Sequence, residues 1–428
     1  MDVEATLEHL YRLERFGIKL GLENIRTLLS RMADPHRGLR AVHVTGTNGK
    51  GSVCAYVASA LQAAGHRVGL YTSPHLVRFN ERIRVDGLEI PDADVLRLWR
   101  DMQPAIESTA GRNRVNHPTF FEVTTAMAFA YFRERQVDVA VVEVGMGGRM
   151  DATNVIDAPV AVVTRIGLEH TEHLGRSIGR IAKEKAGIIK PGARAVTVDQ
   201  EALPVLEARC NEVGATLHVV GRDVVALAVS QDPRGQTVRV SGPFGGLELR
   251  TPLLGGFQVE NVGVAVAALA AVREVGIRVP DDAIAKGIAA TAWPGRLQIV
   301  REHPTVLVDG AHNGPAVRAL AASLGDLLAG RRLTLVIGVL NDKDLGAFAS
   351  SLGPIATRVV ACRPASHRAF SAEEVADAFR PHAEVATMGP VDRALDAALA
   401  AASPDDVVLV TGSIYTAGEA LAHLGART

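Results

Sequence analysis

The segment Val44 to Ser52, VTGTNGKGS, holds the residues best suited to do chemistry. It follows an apolar run of strand length and opens a segment of helix length. Glycines 46, 49 and 51 let the backbone turn tightly with its N–H groups facing inward. Lys50 adds a positive charge, and the start of a helix adds its partial charge. Together these form a cradle for phosphate. The loop departs from the strict nucleotide-binding pattern, which has Gly where this chain has Val44. That pattern also has Ser or Thr directly after the lysine, where this chain has Gly51. A metal-binding hydroxyl must then come from Ser52 or from elsewhere. The plainer reading is a glycine-rich turn with a surface lysine.

Further candidates lie downstream. Glu143 lies near the C-terminal end of the apolar run Val137–Val144, where an unpaired buried carboxylate would be costly. It is a candidate metal ligand, with a buried ion pair as the alternative. Ser73, in YTSPHL, follows another strand-like run and could reach the same edge, or simply cap a turn before Pro74. His170 and His173, in LEHTEHLG, lack the HExxH spacing, so zinc hydrolysis is a weak reading. Lys183 and Lys185, in SIGRIAKEKAGI, read by spacing alone as a solvated helix face.

The elements that must position these residues alternate between strand and helix. Leu39–Thr45, Val68–Thr72, Val137–Gly145, Pro159–Ile166 and Ala193–Val198 read as buried strands, with helices over Gly51–Ala64, Phe121–Arg135 and Ser177–Ile188. This alternation predicts a parallel, doubly wound α/β sheet whose ligands bind at the C-terminal strand ends. Val219–Thr251, with turns at DPRG and GPFGG, reads as an antiparallel extension of the first domain. Helices follow at Val259–Val272 and Asp281–Ala290. After Trp293-Pro294-Gly295-Arg296 a second, smaller Rossmann-like α/β series begins. Its strands read as Thr305–Asp309, Leu333–Gly338, Arg358–Ala361, Glu384–Met388 and Asp406–Thr411, and its helices lie near Ala316–Leu328, Ser371–Arg380 and Val391–Ala401. The expectation is two α/β domains, 1–295 and 296–428.

Composition narrows the function classes. The 428 residues are 47% hydrophobic and 22% charged, which is globular composition. Lys plus Arg (46) balances Asp plus Glu (47), which argues against a general nucleic-acid binder. Cys54, Cys210 and Cys362 form neither a CxxC pair nor a disulfide framework, so a reducing cytoplasm is expected. The start, MDVEATLEHL, does not read as a secretory signal, and the apolar stretch Val262–Val272 is too short to cross a bilayer. No membrane partner is expected.

Many motifs in order resemble one family. They include FGIKLGLENI (16–25), HVTGTNGKGS (43–52), YTSPHLVRFNERI (71–83), TFFEVTTAMAF (119–129) and VEVGMGGRMDATN (142–154). LEHTEHLG (168–175), IAKEKAGI (181–188), WPGRLQ (293–298), DGAHN (309–313), NDKD (341–344) and TGSIYTAGE (411–419) continue the series. The chain resembles the folylpolyglutamate synthases and dihydrofolate synthases of the Mur ligase superfamily. The resemblance implies an ATP-dependent ligase that adds L-glutamate to folate or dihydropteroate through an acyl phosphate, as a monomer. It implies that Asn48, Gly49, Lys50, Gly51 and Ser52 bind ATP phosphates, with Asn261, Arg296, Asp309 and His312 as further ATP contacts and ATP between the domains. It implies two Mg²⁺ ions, the first on Ser73 and Glu143, the second on Glu143, His170 and a carbamylated lysine. That lysine falls on Lys185 and not Lys183. Lys50, His312 and Lys185 would be the catalytic set. Segments resembling the pterin-site lining are Gly17–Leu22, with Gly17 and Lys19, then Thr119, Phe120, Phe121 and Glu122, and Arg149 to Asp151. Phe120 and Phe121 read equally as helix-start core packing. Glu169 stands where the family usually has Asp, a change expected to lie outside the metal role. The competing readings are a Mur-type ligase with another acceptor, a P-loop kinase or ATPase, and a non-catalytic nucleotide-binding module.

Overall fold

The protein is described from a computed structural model that covers residues 3–426 apart from 18, 20 and 112–116. The chain divides into two compact units. The first comprises Met1–Leu227, Val238–Arg250 and Glu260–Thr291, and the second Ala228–Thr237, Thr251–Val259 and Ala292–Thr428.

In the first unit the strands are β1 (Ala41–Thr45), β2 (Val68–Tyr71), β3 (Ile83–Val85), β4 (Leu88–Glu89), β5 (Val139–Glu143), β6 (Val160–Val163), β7 (Arg194–Val198) and β8 (Thr216–Val220). Among the described residues they form one sheet in the order β4-β3-β2-β5-β1-β6-β7-β8. The pairs β2–β5, β5–β1, β1–β6, β6–β7 and β7–β8 are parallel, while β3 and β4 fold back antiparallel at one edge. The central strands are near-continuous Val and Ala runs because helices cover both faces of a parallel sheet. In β1 every residue is buried. Alternation sends Ala41, His43 and Thr45 to one face and Val42 and Val44 to the other. From β1 the chain moves to β2 on one side, and later to β6 on the other. That reversal opens a crevice at the C-terminal ends of β5, β1 and β6, where doubly wound folds bind ligands.

The helix Lys50–Ala63 is apolar nearly all round, as a helix enclosed in the core should be. The helix Phe120–Glu134 starts with a capping box, Thr119 accepting from the Glu122 N–H and Glu122 accepting from the Thr119 N–H.

The reading of Val219–Thr251 as an antiparallel extension requires correction. Val219 and Val220 end β8, which runs parallel to β7. The rest forms a separate three-stranded sheet of β9 (Val225–Asp232), β10 (Gly235–Gly242) and β11 (Gly245–Thr251), in the order β11-β10-β9. Two-residue turns join these strands into hairpins, as the turn signals imply, but the strands pair with one another and not with β8.

In the second unit the strands are β12 (Gln298–Arg301), β13 (Thr305–Val308), β14 (Leu333–Ile337), β15 (Arg358–Ala361), β16 (Glu384–Thr387) and β17 (Val407–Thr411), in the order β12-β13-β17-β14-β15-β16. Only β12–β13 is antiparallel among the described pairs. No helix among the described residues is long and apolar enough to cross a membrane.

Candidate active site

The phosphate loop leaves β1 at Gly46 and enters the helix Lys50–Ala63 at the left-handed Gly49 (φ 88°). Ser52 is buried in that helix's first turn. Lys50 Nζ donates to the Thr47 carbonyl across 3.1 Å. Asn261 lies against the loop, since a Cβ on Gly49 would stand 2.4 Å from its Oδ1. The expected ATP contacts Asn48, Gly49, Lys50, Gly51, Ser52 and Asn261 are therefore brought together.

The loop is stitched to the segment after β6. Thr47 N donates to the Arg165 carbonyl at 2.9 Å, and Gly167 N donates to Thr47 Oγ1 at 2.9 Å. Thr164 Oγ1 donates to the Asn48 carbonyl at 2.7 Å. These threonines were not singled out by sequence. Hydroxyls that tie one loop to another have no spacing of their own. The available signal was that Thr164, like Glu143, stands at the exit of an apolar strand run.

Lys185 corrects the expectation drawn from spacing. It is 1% exposed, while Lys183 on the same helix, Ile178–Ala186, is exposed. Its Nζ donates to the Gly46 carbonyl at 2.7 Å and to Glu169 Oε1 at 3.0 Å. Helix periodicity marks a face, but it does not show that a loop from β1 supplies a buried carbonyl and an acid to meet the ammonium. Burial works against the Glu169 carboxylate, but the charges of Lys185, then Lys50 and His170, outweigh it and bring its pKa down to about 2. Burial lowers the Lys185 pKa, against the raising charge of Glu169. Glu169 is thus the ion-pair partner of the buried lysine.

Glu143 ends β5 and is 5% exposed. Its Oε2 accepts the Ser73 N–H at 3.0 Å, so the strand ends of β2 and β5 bring the two expected metal residues together. A carboxylate and a hydroxyl are hard oxygen donors, the kind Mg²⁺ takes alongside phosphate oxygens and water. Among the described residues no three His, Cys, Asp or Glu side chains form a ready-made metal cage. The oxygen donors of Glu143 and Ser73 are of the kind that fits Mg²⁺. His170 is exposed, with a left-handed backbone (φ 46°), and directly precedes the short helix Thr171–Leu174. His173 is exposed as well. As an ammonium, Lys185 donates hydrogen bonds and ligates no metal. The ligand role needs the carbamate.

Of the expected acceptor residues, Arg149 and Asp151 lie in the loop that follows Glu143. Asp151 is buried, and burial raises its pKa. Its carboxylate accepts from Met146 N (2.8 Å), Thr153 N (3.0 Å) and Thr153 Oγ1 (2.5 Å). Arg149 pairs with Glu184 at 2.8 Å at the surface. Phe121 closes over Gly145, where an added Cβ would stand 2.4 Å from its ring. Phe120 stacks on Tyr11 at 5.6 Å and lies under the Arg82 guanidinium at 5.1 Å. Arg82 Nε donates to His75 Nδ1 at 2.8 Å; burial, then the Arg82 charge, lowers the His75 pKa to about 3. Phe120 packs in the core and Phe121 packs against it, as the helix-start reading of them expects. Thr119 and Glu122 are committed to their helix cap. Lys19 Nζ donates to the His117 carbonyl at 2.7 Å, and Gly17 turns with φ 66°. Residues 18 and 20 of that segment lie outside the described residues.

In the second unit Asp309 follows β13 and is buried. Its oxygens accept from Leu297 N and Ala311 N, each at 2.8 Å. Burial raises its pKa, against the lowering charge of Arg296. Arg296 donates to the Gly295 carbonyl at 2.9 Å. His312 Nδ1–H donates to the Gly310 carbonyl at 2.9 Å, which fixes the ring's orientation. Arg296, just before β12, and Asp309 and His312, just after β13, thus lie at the same end of that antiparallel pair, where Gly310 N donates to the Gly295 carbonyl at 2.9 Å.

With this geometry in place, family relationships can be drawn. A family model described as the Mur ligase middle domain matches residues 44–269, and one described as the Mur ligase glutamate ligase domain matches residues 295–414. The dihydrofolate synthase/folylpolyglutamate synthase of Bacillus subtilis is 36% identical over 406 residues, covering 94% of each chain. The chain belongs to the folylpolyglutamate synthase/dihydrofolate synthase family of Mur ligases. A probable bifunctional folylpolyglutamate synthase/dihydropteroate synthase of Haloferax volcanii is 39% identical over 430 residues, covering 98% of this chain. The chain spans about half the length of that relative (50%). Among solved structures, the folylpolyglutamate synthase of Mycobacterium tuberculosis complexed with ADP and AMPPCP superposes with a TM-score of 0.91 at 35% identity over the whole of both chains. The two α/β sheets are those of this family.

Proposed function

We propose that this protein is an ATP-dependent ligase that forms an amide between L-glutamate and the carboxylate of a folate-type acceptor, releasing ADP and phosphate. The observation that carries the reading is the phosphate loop held between Lys185 and the segment after β6, with Glu143 and Ser73 on the neighbouring strand ends. The relative named for both activities is the ground for offering both dihydropteroate and a folate that already carries glutamate.

A carboxylate does not condense with an amine in neutral water. In this reading an oxygen of the acceptor carboxylate attacks the γ-phosphorus of ATP, and the bond to ADP breaks. The glutamate nitrogen, freed of a proton, then attacks the acyl carbon, and the C–O bond to phosphate breaks. The first step is phosphoryl transfer, in which positioning and charge neutralisation do most of the work. Lys50 and the inward N–H groups of residues 48–51 hold phosphate oxygens. Glu143 and Ser73 would hold Mg²⁺, which supplies charge neutralisation to the phosphates when bound. A second Mg²⁺ on Glu143 and His170 belongs to the same proposal only with Lys185 as its carbamate. His312, Arg296 and Asp309 are further ATP contacts in this reading, with His312 acting on the transferring phosphoryl group. Arg149 and the loop 145–151, with Phe120, Phe121 and Lys19, serve the acceptor.

The test is to offer L-glutamate, ATP and Mg²⁺ with dihydropteroate or with tetrahydrofolate and to weigh the products. A product heavier by one glutamyl residue, formed with either acceptor, is expected. ADP release that is indifferent to both acceptors would favour the ATPase reading instead.

A further inference from the structure

His43 is a poor choice for the centre of a parallel sheet. It is 0% exposed, and its own partners in β5 and β6, Val142 and Ala161, are apolar. Its Nδ1 is buried without a hydrogen-bond partner. A buried polar atom of this kind costs free energy that valine would not. Its other nitrogen explains the choice. Thr153 Oγ1 gives its proton to Asp151 across 2.5 Å, so it can only accept from His43 Nε2, at 2.8 Å. That fixes the tautomer as Nε2–H.

Two residues on, on the same face of β1, Thr45 Oγ1 donates to the Gly147 carbonyl at 2.6 Å. Thr45 is the residue directly before Gly46 of the phosphate loop. Alternate side chains of one strand thus grip both ends of the loop 145–155. The far side of that loop is held by backbone, with Arg149 N donating to the Glu184 carbonyl at 2.7 Å. The four-member chain from His43 through Thr153 and Asp151 to Met146 N passes through the loop's interior.

We propose that Thr45 and His43 are positioning residues that hold the acceptor loop 145–155 in register with the phosphate loop. The role is conveyed through Gly147, Thr153 and Asp151, and β1 is the rigid part common to both loops. It rests on the reading that this loop serves the acceptor.

The variants are Thr45→Val, which keeps the shape and removes the donor, His43→Leu, and His43→Gln, whose amide nitrogen can replace Nε2–H. Loss of one buried donor should lower kcat/KM for the acceptor about tenfold in Thr45→Val and His43→Leu. ATP affinity should stay within about twofold, and His43→Gln should recover most of the loss. Equal losses for ATP and acceptor, unchanged acceptor kinetics, or a His43→Gln as impaired as His43→Leu would overturn the proposal. Amide hydrogen exchange gives a second readout that needs no turnover. Residues 145–155 should exchange faster in Thr45→Val and His43→Leu, and the rest of the sheet should not. If the wild-type protein transfers no glutamate, the functional reading falls, and exchange alone decides: unchanged protection of 145–155 would refute the tether.

Discussion

Gly46 offers the sharpest test of how the phosphate loop is built. It has φ +149°, and a Cβ there would stand 1.7 Å from Thr164 Oγ1, 2.9 Å from Thr164 Cβ and 3.2 Å from the Thr164 carbonyl carbon. Ordinary non-bonded contact is roughly 3.5 Å. Thr164 cannot simply turn away, because its hydroxyl donates to the Asn48 carbonyl and, at 3.2 Å, to the Thr45 carbonyl. Gly46→Ala therefore meets backbone strain of about 1–3 kcal/mol. Overpacking adds about 1–3 kcal/mol. We expect a loss of about 4 kcal/mol in urea unfolding, with weaker ATP binding by calorimetry. Thr164→Ala alone should cost about 1–2 kcal/mol through the lost hydrogen bonds. Combined, the two changes should be less than additive by about 2 kcal/mol, because removing Oγ1 relieves the worst contact. Partial relief is the expectation, since Thr164 Cβ remains. Additivity within about 0.5 kcal/mol would refute the reasoning.

Other expectations follow from the same site. Lys185→Met should destabilise the fold by about 3–5 kcal/mol, because it strands the Glu169 carboxylate. Lys183→Met, at an exposed position, should stay within about 0.5 kcal/mol, and thermal unfolding of both variants checks the contrast. Glu169 has its pKa depressed from the ordinary 4.5 to about 2. Its contribution to stability is therefore complete above about 4.5 and fades as the pH falls toward 2. Glu169→Gln should flatten that acid limb in denaturation series, and an unchanged limb would count against the ion pair. His312→Ala should lower kcat more than ATP affinity, and an unchanged kcat would remove it from the mechanism.

Much of this was legible in the residues. The strands around the phosphate loop were visible because parallel strands buried on both faces are plain Val and Ala runs. Glu143 was visible because an acid interrupts such a run. What escaped was anything set by contact across the chain. Lys185 and Lys183 are two residues apart and indistinguishable by type, yet the Gly46 carbonyl and Glu169 bury only one of them. Asp151 was named only through the family resemblance, because its donors come from Met146 and Thr153 through a turn that has no regular period. His43 drew no attention, because a single histidine in a strand reads as an ordinary core residue until its tautomer is traced. The hairpins of 225–251 were recognised, but the sheet they join was not, since pairing partners are a property of the fold and not of the turn.

The central claim is that ATP activates the acceptor carboxylate before glutamate attacks. The most direct measurement uses an acceptor whose carboxylate carries oxygen-18, turned over with ATP, Mg²⁺ and L-glutamate. The account predicts that the inorganic phosphate released with each amide bond carries one labelled oxygen, taken from that carboxylate when the acyl C–O bond breaks. Phosphate free of the label, alongside glutamylated product, would contradict it.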